Sequence, residues 1–267
     1  MKKILFINQG ITPFIAENPI SALGKALPEA MQAKGHEIRT FMPKWGTINE
    51  RRNQLHEVIR LSGINLIIDD TDHPLVIKVA SIPGTRIQVY FIDNNDYFAR
   101  KNGDMGIDEK GKECPDNGER AVFFARGVLE TVMKLRWTPD IIHCQGWMSA
   151  VVPFYLKTIY KDEPCYRDVK VVTSIFAHEL ELEFGERFKS IVEYEEAKKE
   201  YLDKYADKFN CIELAKMAID YSDGIIEPME NINKDLLQYA EEQKKKLMKF
   251  ADTQNVGDSY ETFYESL

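Results

Sequence analysis

The stretch DNGERAVFFARGVLETVMKLRWTPDIIHCQGWMSAVVPFYLK, Asp116 to Lys157, reads as helix, turn, strand, tight turn and helix. Val122, Ala125, Leu129, Val132 and Met133 recur at helical spacing and form one apolar face. Pro139 interrupts the pattern, because it has no N–H to donate and biases the preceding residue away from helix. Asp140–Cys144 is a short apolar run between turn signals, which suits a buried parallel strand. Gly146 allows a sharp turn, and Ser149–Thr158 reads as the next helix. The cluster His143-Cys144-Gln145-Gly146-Trp147 therefore falls at the carboxyl end of a parallel strand, where open α/β sheets bind their ligands.

Around this unit the chain alternates strands and helices. Ile4–Asn8 reads as a first strand with an apolar body and a polar exit. A helix near Ile20–Lys34 follows, with Leu23, Leu27, Ala30 and Met31 on one face and Gly35 as its stop. Glu37–Met42 reads as a second strand. The phosphate fingerprint GxGxxG is absent, which speaks against classical dinucleotide binding. From Asn53 to Ile92 the period shifts toward alternation, giving strands and hairpins, and Asp93–Pro115 is polar and loop-like. Val169–Ile175 reads as a further strand leading into His178-Glu179, Phe184–Lys208 as a charged surface helix, Asn210–Tyr221 as an amphipathic helix and Gly224–Glu227 as a last short strand. Lys234–Phe250 reads as a terminal helix with Leu236, Leu237, Ala240, Leu247 and Phe250 as its seam. Thr253–Leu267 shows no clear period and is expected to be peripheral.

With 267 residues, 44% of them hydrophobic, the chain is long enough to bury a substantial core, and its net charge of −8 argues against nucleic-acid or anionic-membrane binding. No apolar run is long enough to span a bilayer. The four cysteines, Cys114, Cys144, Cys165 and Cys211, have neither disulfide-framework nor zinc-ligand spacing. Reduced cysteines and an N-terminus unlike a signal peptide suit a cytoplasmic protein.

Many short matches in order resemble one family, the glycogen and starch synthases. They run from Lys3-Ile4-Leu5-Phe6 through Pro13-Phe14, Ala26-Leu27-Pro28, Gly35-His36-Glu37-Ile38-Arg39 and Met42-Pro43-Lys44. They resume at Tyr90–Asn94 and Tyr97-Phe98. They are densest from Pro115-Asp116-Asn117, Glu119-Arg120 and Phe123-Phe124 to Trp137, Pro139–Cys144 and Trp147. Weaker likeness continues at Asn210-Cys211 and from Lys216 to Gly224. The resemblance implies a carbohydrate-handling, ADP-glucose-dependent glycosyltransferase of GT-B type, with two Rossmann-like domains and a cleft between them. It places an α/β, mostly parallel doubly wound domain of the N-terminal type over residues 1–228, followed by a C-terminal helix and tail over 229–267.

The departures are specific. Where the family opens its site with Lys-x-Gly-Gly, this chain has Ala16, Asn18 and Pro19, and Ala22 replaces an acidic residue. The family's His-x-His-Asp-Trp becomes His143-Cys144-Gln145-Gly146-Trp147. No stretch here reads as the donor-nucleotide domain. The expectation is a protein that binds sugar or glucan with little or no activity alone. The alternatives are the acceptor-side subunit of a split enzyme and a non-catalytic regulatory or binding module. No catalytic residue, metal or cofactor is assigned. The candidate sugar cleft is Tyr97, Asp116, His143, Gln145 and Trp147, expected to converge on one concave surface. Beside this stand plainer readings, a hydrogen-bonded core role for His143 and a packing role for Trp147. A glucan or nucleotide sugar is the expected ligand, and a donor-domain chain or a second copy the expected partner.

Overall fold

The structure is a computed structural model that describes residues 1–100, 106–176, 183–185, 187–193, 199–253 and 255–267. Its centre is β1 (Lys3–Asn8), whose side chains alternate between two apolar layers. The helix α1 (Pro19–Ala33) and the strand β2 (Glu37–Pro43) follow, and β1 and β2 pair in parallel. On the other side of β1 lies β7 (Ile141–Gln145), also parallel, with Ile4 opposite Ile141 and Asn8 opposite Gln145. The strands β8 (Lys170–Ser174), β9 (Gly224–Ile226) and β10 (Lys246–Met248) extend this flank in parallel.

Beyond β2 the sheet changes character. The strand β6 (Gln88–Asp93) is parallel to β2, but β5 (Thr71–Ser81) returns antiparallel to it. The short strands β3 (His56–Glu57) and β4 (Ile64–Ile68) also pair antiparallel with β5. The order across the sheet is β10-β9-β8-β7-β1-β2-β6-β5-β3. These are the expected neighbouring parallel strands and the expected hairpins.

Helices cover both faces. One face carries α1 and the C-terminal helix α8 (Val256–Glu265), packed on Ile4, Phe6, Ile141 and Val172. The other carries α3 (Asn117–Lys134), α4 (Val152–Lys157) and α6 (Cys211–Asp220). The helix α7 (Lys234–Glu242) closes the β9 end through Leu236 and Ala240. The helix α3 is buried almost all round, since it is wedged between the sheet, the β4–β5 hairpin and the segment that holds α5 (Phe188–Val192). A Cβ at Gly118 would lie 2.6 Å from the Phe188 ring, so glycine there sets how closely α5 approaches.

Three sequence expectations are corrected. The tail is not peripheral: Tyr260 and Tyr264 of α8 are 1% exposed, because β1, β7 and β8 present an apolar face that α1 alone does not cover. The Lys234–Phe250 segment is not one helix. Lys244 takes φ +54°, which ends the helical path, and Lys246–Met248 becomes the edge strand β10. Of the Phe184–Lys208 stretch expected as a charged surface helix, Phe188, Ile191, Val192, Leu202 and Tyr205 are buried, and the described helical pieces are the five residues of α5 and a 3₁₀ turn at Lys199–Tyr201.

Candidate functional site

Asn8 and Gln145 end adjacent strands and are register partners. Alternation along the strands turns both side chains to the face shared by Phe6 and His143. Both residues are fully buried, and among the described residues neither the nitrogen nor the oxygen of either carboxamide has a hydrogen-bond partner. Leaving four such atoms unmet costs about 1–3 kcal/mol apiece, a total comparable with the ~5–15 kcal/mol net stability of a domain. The roof over them is tight. A Cβ at Gly24 of α1 would come within 2.5 Å of the Gly10 carbonyl oxygen and 3.6 Å of Asn8 Cγ. The turn after β7 presses onto the loop after β1: Gln9 N donates to the Gln145 carbonyl at 3.0 Å, and Gly146, at φ +86°, leaves no space for a Cβ against the Gln9 side chain.

Past this turn the chain crosses to the α3 side. The Trp147 ring lies against Gly106 and Asn117 and is tilted over Phe184 at 5.8 Å. Beside it is a largely apolar cavity of about 70 Å³, lined among others by Trp147, Ser174, Ile175, Leu214 and Leu236. An engineered apolar cavity that takes a benzene ring measures ~150 Å³, so this one does not admit a pyranose as it stands.

His143 stands two residues before the end of its strand and is completely buried. One ring nitrogen contacts the Tyr264 hydroxyl and the other the Ser174 hydroxyl, both at 2.7 Å. A neutral imidazole satisfies both contacts, donating through one nitrogen and accepting through the other. Burial lowers its pKa to about 3, so the ring stays neutral through the physiological range and ties β7 and β8 to α8.

Tyr97 lies in the short helix α2 (Asn95–Phe98) and is 3% exposed. Its hydroxyl donates to Glu119 Oε2 at 3.1 Å and meets His73 Nε2 at 3.0 Å, while its ring packs on Phe123. Burial first, and then the charge of Glu119, push the phenol pKa up, so it remains protonated. Asp116 caps α3 without a side-chain cap bond, because Arg100 takes its carboxylate in a two-pronged ion pair. The five predicted cleft residues therefore do not share one surface. Strand alternation places His143 and Gln145 on the α1/α8 face, whereas Tyr97, Asp116 and Trp147 gather around the start of α3. His178 and Glu179 lie outside the described residues.

Two contributors were missed by sequence reasoning. Asn8 was visible only as the polar exit of the first strand. Arg120 is 1% exposed, with its guanidinium over Trp45 at 5.0 Å and Phe98 at 5.5 Å, and Nη1 donating to Asn117. Nothing in helical periodicity marks such a residue.

The loop from Ile11 to Asn18 leads into the amino end of α1. Asn18 Oδ1 accepts from Ser21 N, and Ser21 Oγ accepts from Asn18 N, both at 2.9 Å. Pro19 brings no N–H, and Ala16 is exposed. The helix end is thus occupied by its own residues. Among the described residues, no group of His, Cys, Asp and Glu is arranged to hold a metal ion.

A doubly wound sheet with its polar strand ends under the β1–α1 loop defines the class: the fold is that of the first domain of a GT-B glycosyltransferase. Residues 3–249 match the starch synthase catalytic domain family, and the chain belongs to it. It is 39% identical over 173 residues to a glycogen synthase of Pelodictyon phaeoclathratiforme, covering 65% of this chain and 35% of the relative. A glycogen synthase of Chlorobaculum tepidum is 38% identical over 177 residues with the same coverage. The chain thus spans about a third of the length of these relatives. Its fold is similar, with a TM-score of 0.73 at 18% identity, to the catalytic domain of starch synthase IV from Arabidopsis thaliana bound to ADP and acarbose. That likeness covers 94% of this chain and 52% of the other.

Proposed function

We propose that this chain is a glycogen/starch synthase-like domain that binds a sugar or glucan at the carboxyl edge of β1 and β7 and, by itself, transfers little or no glucose. The observation that carries this reading is the pair of buried, unpartnered carboxamides of Asn8 and Gln145. Each carboxamide donates and accepts, as sugar hydroxyls do. Entry of a sugar requires the Ile11–Asn18 loop to lift from the strand ends.

Weak transfer is supported by the same loop. Transfer from a nucleotide sugar develops charge on a diphosphate leaving group, which is stabilised by cations and free N–H donors. Here Ala16 offers a methyl group, Pro19 has no N–H, and the Ser21 N–H is engaged by Asn18. A second reading is the acceptor-side half of a split glycosyltransferase, which fits a chain with the fold of a GT-B first domain. The four free cysteines fit a reducing, cytoplasmic setting.

The test is an NMR titration of the pure chain with malto-oligosaccharides and ADP-glucose, together with an assay of labelled-glucose incorporation into glycogen. The expected result is millimolar glucan binding, on the order of −4 kcal/mol, which shifts the Asn8 and Gln145 side-chain signals without incorporation. Time-dependent incorporation by the pure chain overturns the inactivity. Silent Asn8 and Gln145 signals overturn the site.

A further inference from the structure

A groove of about 570 Å³ lies on the antiparallel flank, away from the Asn8–Gln145 edge. That volume is within the roughly 300–1,000 Å³ of small-molecule sites. Its walls are the turn carrying Arg52, Asn53 and Gln54 and the β5–β6 hairpin from Ser81 to Gln88; Val79, Ala80 and Phe14 line it between them. In a chain of net charge −8, no lining residue is acidic.

The polar groups are of two kinds. Thr85 and Asn53 are engaged locally: Thr85 Oγ1 donates to the Ile82 carbonyl, and Asn53 Nδ2 donates to that of Asn49. The side chains of Arg52, Gln54, His56 and Ser81 have no hydrogen-bond or ion-pair partner among the described residues. Gln54 is moreover held at φ +53°, a conformation unusual for this residue type, which fixes the turn that presents the groove's wall. The free groups are rich in donors: a guanidinium with five N–H bonds, an imidazole, an amide NH₂ and a hydroxyl, with no carboxylate to neutralise them.

We infer that this groove is a second, independent ligand site, for a small acceptor-rich anion of the phosphate monoester class. A phosphate ester brings several acceptor oxygens and negative charge, which the free guanidinium of Arg52 matches with paired N–H bonds. The Gln54, His56 and Ser81 groups supply further donors around it. A neutral saccharide carries no charge and leaves the fixed positive charge unmatched. The groove lies on the β3–β5–β6 side of the sheet, and of its lining only Phe14 belongs to the Ile11–Asn18 loop that covers the Asn8–Gln145 edge.

The experiment is an NMR and calorimetric titration of the full chain with glycerol 2-phosphate, inorganic phosphate and maltotriose in parallel. The expected result is that glycerol 2-phosphate shifts the Arg52, Gln54 and Ser81 signals, with affinity falling at least fivefold between 50 and 300 mM salt. Arg52→Gln with His56→Gln should lose at least tenfold in affinity with an unchanged melting temperature, since both side chains are exposed and unpaired. Inorganic phosphate binding as tightly as the ester places the recognition in the phosphate alone and keeps the site. Maltotriose shifting these signals while both phosphates do not, or no shift with any probe at 20 mM, overturns the proposal. Asn8 and Gln145 signals report separately on the edge site, so one site can fail without the other.

Discussion

Replacing the Gln145 carboxamide with the similarly shaped, apolar side chain of methionine removes two buried polar atoms that have no partner. Gln145→Met, and Asn8→Leu likewise, should therefore raise stability by about 1–3 kcal/mol in chemical denaturation, while malto-oligosaccharide binding falls. A stabilised variant that binds as the parent does would show the pair is a relic. His143 makes a pH prediction at the same scale. Its folded pKa lies near 3, below its ordinary value near 6.5. The unfolded chain therefore takes up a proton that the folded chain refuses, and stability falls as pH drops from about 6.5 toward 3. Between pH 7 and pH 5 the loss should be about 2 kcal/mol, and His143→Gln should flatten that slope even though it lowers stability overall. The position of Gln145 at a strand end was legible in sequence, because an apolar run ending at a glycine is a local signal. Which face each side chain took depended on register, and the partners of His143, Ser174 and Tyr264, lie 31 and 121 residues away.

At the scale of elements, α8 is held to α1 by a charged clasp over its apolar contact. Lys34 Nζ meets Asp258 at 2.6 Å and Glu261 at 2.8 Å, and His36 Nε2 meets Glu261 at 2.9 Å. The Lys34 hydrogen bond is the main cause that lowers the Asp258 carboxyl; for Glu261, Lys34 leads and His36 adds. Depressed carboxyl pKa values mean stabilisation that is present above the ordinary carboxylate range and lost as pH falls through the folded values. Lys34→Met should thus speed hydrogen exchange in α8 at pH 7, and the difference from the parent should shrink as pH falls through the depressed carboxyl values. These are exposed pairs, so 0.5 M salt should shrink the effect too. The helix itself was not legible: although Tyr260, Phe263, Tyr264 and Leu267 stand at helical spacing, so short a run gives periodicity little to work on. Nor was the α7–β10 boundary, since a lysine in the left-handed region has no sequence signature.

For the whole molecule, the alternation of apolar runs and amphipathic helices was sufficient to give the parallel sheet, its strand neighbours and its flanking hairpins. It did not show that residues 229–267 build into the same sheet, because β10 is three residues long and its pairing with β9 is tertiary. Removing these residues uncovers Ile4, Phe6 and Ile141, strands the His143 ring, and forfeits the burial of Tyr260, Phe263, Tyr264 and Met248. At about 1.5–3 kcal/mol for each large apolar side chain, the loss rivals the net stability of a domain. A 1–228 fragment should lack a cooperative thermal transition and bind a hydrophobic dye. A sharp transition near that of the parent would show that the two parts fold separately.

The central place of β1 also sets a timetable for biosynthesis. Lys3 and Asp140, which flank the β1–β7 pairing, are separated by 137 residues. At roughly 5–20 residues per second, the ribosome needs about 7 to 27 s after making β1 to deliver that partner. Over this interval β2 guards one side of an almost wholly apolar strand, and the other is an open edge of the kind that recruits stray chains. The nascent protein is therefore expected to depend on holding chaperones until β7 emerges, and synonymous changes that slow translation between residues 43 and 141 should raise the aggregated fraction without altering the purified protein.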